Sequence, residues 1–101
     1  MNTANLQLEG LFLAVAAINK LLVTKGLLSV DEVHTALRIA EETAIGDYRT
    51  EDLSPANRDA VAFPARLLQI ANQDGRGQGI PPFSELAKAV GETKESYNDQ
   101  R

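Results

Sequence analysis

The chain contains one histidine, His34, and no cysteine. Histidine is the side-chain type that titrates near neutral pH, so acid–base or metal chemistry would begin there. Asp31 lies three residues before it, the relative placement of carboxylate–histidine metal pairs on a helix. A di-metal centre in a helical bundle needs two such pairs and two further carboxylates, so a chain with one histidine could complete it only as a symmetric dimer. Without cysteine there is no disulfide framework, no thiolate nucleophile and no Cys-ligated metal. Ser29, Ser54, Ser84 and Ser96 are the hydroxyl candidates, and none stands in a Gly-x-Ser-x-Gly turn. Ser29 and Ser54 are accounted for as helix caps, and Ser84 sits in a first helical turn. Glu41–Glu42 and Glu51–Asp52 are paired carboxylates, but adjacent residues on a helix diverge, so Glu41 and Glu42 do not share a proton. These residues assign no catalytic role, cofactor or metal ligand, and the expectation is a protein that is not an enzyme.

Two longer patterns also bear on chemistry. Gly75-Arg76-Gly77-Gln78-Gly79 could cradle a phosphate through its backbone amides. A nucleotide loop, however, is set between a strand and a helix start. This run follows a helix and leads into Ile80-Pro81-Pro82, which reads as a connector. The segment Phe83-Ser84-Glu85-Leu86-Ala87-Lys88-Ala89-Val90-Gly91 resembles the first helix and turn of a helix-turn-helix DNA-binding motif. In that motif the alanine packs on the second helix and the glycine makes the turn. The resemblance implies a DNA-binding regulator using residues 83–101, the alternative reading of the chain. Its second half departs from the pattern. The would-be recognition helix, Lys94 to Arg101, carries Glu95 and Asp99, which phosphates repel, and Tyr97 where a small branched residue usually packs.

Four helical segments position these residues. The first runs from about Thr3 to Lys25, where Leu8, Leu11, Val15, Ile18 and Leu22 follow a three-four-three-four spacing. Phe12, Ala14, Ala16, Leu21 and Val23 widen the stripe, leaving Glu9, Lys20 and Thr24 on a narrow polar side that also holds Leu13. So wide an apolar arc makes this helix either the centre of its bundle or a surface covered by another chain. Gly26 supplies the left-handed stop, and Ser29 with Glu32 forms a capping box that opens the second helix, Val30 to about Ala44. The short turn between them predicts an antiparallel hairpin. Gly46 ends the second helix, and Asp47 to Leu53 reads as an exposed acidic loop. Ser54-Pro55 starts a third helix with Ala56, Ala60, Phe63, Leu67 and Ile70 on one face. Pro64 is expected to kink it or to divide it in two. A loop from Asp74 to Pro82 precedes a short fourth helix, Phe83 to Val90, which Gly91 is expected to stop. Residues 1–91 thus form one domain, and 92–101 a fraying polar tail.

The overall counts agree with a small folded domain. The chain has 101 residues, 44% hydrophobic and 24% charged, with a net charge of −4. This composition lies well away from disordered sequences. An acidic balance disfavours non-specific nucleic-acid binding, which depends on clustered Lys and Arg. The longest uninterrupted apolar run, Leu11 to Ile18, is far shorter than the ~18–20 residues of a membrane span. No Lys or Arg precedes it as in a signal peptide, so the expectation is a cytoplasmic protein without a membrane partner. The fold class predicted is all-α: a four-helix domain built on a helical hairpin. The function expected is a protein–protein interaction module, a homo-oligomer (dimer) that self-associates through Phe12, Leu13, Ala16 and Val23.

Overall fold

The computed structural model describes residues 3–46, 54–73 and 79–98, the last five of them by backbone alone. Four helices form: α1 (Thr3–Thr24), α2 (Val30–Gly46), α3 (Pro55–Gln73) and α4 (Phe83–Asn98). No strand occurs among the described residues. The all-α, four-helix reading of the sequence is the observed fold.

Local chemistry sets the boundaries. After α1, Gly26 adopts φ 78°, a conformation that costs a glycine nothing and an L side chain about 1 kcal/mol or more. It lets the Gly26 amide donate to the Val23 carbonyl at 3.0 Å and the Leu27 amide donate to Leu22 at 3.0 Å. Two carbonyls left over at the end of α1 thereby find donors. Ser29 and Glu32 then cap α2 reciprocally: the Ser29 amide donates to Glu32 Oε1 at 2.8 Å, and the Glu32 amide donates to Ser29 Oγ at 3.0 Å. Ser54 Oγ accepts from the Asn57 amide at 3.1 Å, and Pro55 opens α3 at the position where its missing donor costs least.

The centre of the fold is α3, not α1. Helices α1, α2 and α4 all pack on it, while α1 and α2 touch each other less than either touches α3. The reason lies in its side chains. Ala62, Ala65 and Ala71 are buried along α3 together with Leu67 and Leu68, and such short residues let neighbouring helices approach on several sides. Pro64 lies inside this one unbroken helix. The carbonyl deprived of its donor belongs to Ala60, an exposed residue where water can take the bond.

Side-chain bonds fix how α2 lies on α3. Asn72 Nδ2 donates to the Val30 carbonyl at 3.0 Å, and Gln69 Nε2 to Glu41 at 2.9 Å. Rising numbers along α2 meet falling numbers along α3, so these two helices run antiparallel. Helix α4 continues through Gly91 to Asn98 instead of stopping at Gly91. Among the described glycines only Gly26 takes positive φ, and a helical Gly91 costs about 1 kcal/mol relative to alanine. Part of the segment expected to fray is therefore helix. The acidic loop at 47–53 and positions 74–78 and 99–101 lie outside the described residues.

Candidate functional site

Helix α1 has two faces, and its more apolar one points away from the body. The inner face is anchored by Phe12, whose ring lies 6.1 Å from Phe63 of α3 and 6.0 Å from Phe83 of α4; Phe63 and Phe83 are 6.2 Å apart. All three phenylalanines of the chain thus meet at the distances favoured by aromatic pairs. Ala16, 2% exposed, joins Leu67, Leu68, Ala71, Leu86 and Val90 in the core, with Leu13 packed beside it. Lys20 also turns inward and is 6% exposed, while Glu9 and Asn19 are half-buried. A lysine stem covers apolar surface well even where its head is charged.

The outer face carries Leu8 at 47% exposure, Leu11 at 56%, Ile18 at 58% and Leu21 at 47%; Leu6 is exposed as well, but off this face. Val15 and Leu22, the other members of the three-four stripe, are half-buried at its edge. The charged residues of α1, Glu9 and Lys20, both lie off this face. A run of exposed leucines and isoleucine along one side of a helix differs from the scattered single apolar residues of an ordinary surface.

The expected association residues consequently sit elsewhere than the sequence suggested. Phe12, Leu13 and Ala16 hold α1 to its own chain, and Val23 is half-buried. Periodicity showed that α1 has an apolar excess. It did not show which part of the arc its neighbours would take, because the aromatic meeting point on α3 and α4 is remote in sequence.

A second feature is a polar seam where α2, α3 and α4 meet. Arg66 Nε donates to Glu41 at 2.8 Å and Nη1 lies 3.4 Å from Asp59. The Gln73 amide nitrogen lies 3.3 Å from His34 Nδ1. These groups border a groove of about 420 Å³ whose apolar lining is Ile70 and Val90. Thr93, at its edge, donates its hydroxyl to the Ala89 carbonyl at 3.1 Å. Arg66 with Glu41 and Gln73 with His34 thus brace α3 against α2 across the groove, while the bond of Thr93 stays within α4. Sequence inspection missed it, since nothing in the spacing of Glu41 and Arg66 announces that they meet.

The other sequence candidates disperse. Asp31 is exposed one turn from His34, and no group of three or more His, Asp and Glu residues able to hold a metal ion occurs among the described residues. Ser29 and Ser54 act as caps. Ser84 is exposed, and Glu42 is exposed while Glu41 pairs with Arg66. Glu51, Asp52 and Gly75 to Gln78 lie outside the described residues. In the segment resembling a helix-turn-helix, Gly91 is an interior helical residue, so the turn that the resemblance needs does not form there.

By length and composition α1 could cross a membrane: an 18-residue window of Thr3–Thr24 reaches a mean hydropathy of 1.6. Measuring only uninterrupted apolar runs understated this, because small and uncharged polar residues separate the leucines. Core helices and signal sequences pass the same test. Only 11% of that window is buried within the fold, so its apolar character is not consumed by the chain's own core.

No family model, curated protein or solved structure matches the chain.

Proposed function

We propose that this chain is a non-enzymatic helical interaction module that self-associates through the outer face of α1. The observation that carries this reading is the outward placement of Leu8, Leu11, Ile18 and Leu21 on a helix already anchored through its other side. Burial of apolar area is the main favourable term in association, and this face offers it without charges to desolvate. The anchoring through Phe12 and Ala16 gives the face a fixed position, which lowers the ordering cost of binding.

Replacing Leu11 and Ile18 together with aspartate tests the proposal. Both are more than half exposed, so the helical circular-dichroism spectrum should persist while light scattering shows loss of the dimer. A wild-type chain that scatters as a monomer at high concentration would refute it. So would a dimer that the double substitution leaves intact.

A further inference from the structure

Helix α1 is held to the rest of the fold by one apolar patch and one short turn. Only Ala16 and Lys20 of its 22 residues are buried, against six of the 19 in α3. The patch is Phe12, Leu13 and Ala16, with Val15 at its edge, and it meets Phe63, Phe83 and the core residues of α3 and α4. Residues 24–30 are all exposed, so packing holds neither end of the turn. Its backbone bonds divide at one point. The Lys25, Gly26, Leu27 and Leu28 amides donate back to Leu21, Val23 and Leu22 of α1, whereas Ser29 bonds forward to Glu32 and Val33. None of these bonds spans the peptide between Leu28 and Ser29. Just beyond it, Asn72 fastens the Val30 carbonyl to α3.

We infer that α1 is a latch: it leaves the body as one helix, turning between Leu28 and Ser29, while α2, α3 and α4 stay together. A hinge needs only a few residues that absorb a change in φ and ψ. Here the glycine stop moves with α1 and the capping box stays with α2, so neither helix end is undone. At 22 residues, α1 exceeds the about 12–15 below which isolated helices are marginal. The body keeps contacts of its own. Leu67, Leu68 and Ala71 remain packed with Leu86 and Val90 of α4, and Arg66, Gln69, Asn72 and Gln73 remain bonded to α2. An element with few buried apolar residues opens at the low end of the range of local free energies. Release uncovers Phe63 and Phe83 on the body and Phe12 on the arm, an apolar surface that the closed form keeps shut.

The chain has no cysteine, so a thiol placed at one site reports on that site alone. Ala16→Cys on α1 and Ala71→Cys on α3 put it at two buried positions of the same core cluster. Neither thiol reacts with a labelling reagent until the structure opens around it. Each variant is labelled at low concentration, where association adds little, and its rate is compared with the one that its global unfolding in urea allows. The expected result is that Ala16→Cys labels at least about tenfold faster than global unfolding allows, and Ala71→Cys at the global rate. If both label at the global rate, α1 opens only with the whole fold and the latch is refuted. Fast labelling of both would refute it equally, since the body would then open with α1. Hydrogen exchange of the unmodified chain makes the same comparison without a substitution. There the α1 amides should exchange through an opening that leaves the Leu67 and Leu68 amides protected, and equal protection of α1 and α3 would overturn the inference. Both measurements are read on the monomer, so failure of the latch and failure of self-association are told apart.

Discussion

Lengthening two adjacent alanines, one at a time, shows which side of α1 meets the body. Ala16 is 2% exposed and packed among Leu67, Leu86 and Val90 in the core cluster, whereas Ala17 is exposed. Ala16→Leu forces three extra carbons into filled space. Overpacking of this kind costs about 1–3 kcal/mol, and in a domain of this size each kcal/mol lowers Tm by about 4–8 °C. The expected fall is thus from about 4 to about 24 °C. Ala17→Leu makes the same chemical change about 100° around the helix, where no neighbour resists it. There the effect on folding should stay within about 0.5 kcal/mol. Thermal melts followed by circular dichroism at low concentration, where association adds little, provide the comparison. Equal damage from both substitutions, or greater damage from Ala17→Leu, would show that α1 faces the body differently and would refute the assignment of its two faces.

Other substitutions probe the hub and its connections. Leu67→Ala, at a fully buried position of α3, should cost about 2–5 kcal/mol in urea unfolding. Leu11→Ala, at 56% exposure, should leave monomer stability nearly unchanged. Gly26→Ala should destabilise by about 1 kcal/mol, because φ 78° is strained for any residue with a Cβ although the space beside Gly26 is open. Glu41→Ala removes the acceptor shared by Arg66 and Gln69. With those side chains only partly exposed, the loss should be about 1–2 kcal/mol, and added salt should narrow the difference from wild type.

Local signals in the chain were legible because they act over a few residues. Gly26, Ser29 with Glu32, and Ser54-Pro55 place their helix ends through backbone and side-chain bonds that neighbours in sequence complete. The apolar faces of α3 and α4 were likewise visible at Leu67, Leu86 and Val90. The hub was harder to see. Helix α1 has the greater apolar content, yet α3 is central because Ala62, Ala65 and Ala71 permit close approach on several sides. Gly91 misled for a related reason: a glycine permits a helix stop but does not compel one, and here the helix continues.

The candidate surface was legible in kind but not in position. The apolar excess of α1 was plain from Leu8, Leu11, Val15, Ile18 and Leu22. Which residues remained outside was decided by Phe12 meeting Phe63 and Phe83, a convergence of three distant segments that no local window contains. Once that contact fixes the inner side, the helix periodicity assigns the remainder outward.

Sedimentation equilibrium of the unmodified chain over a wide concentration range tests the central claim most directly. The account predicts a reversible species of twice the 10.9 kDa chain mass, dissociating on dilution. A single species of 10.9 kDa at every concentration would contradict it.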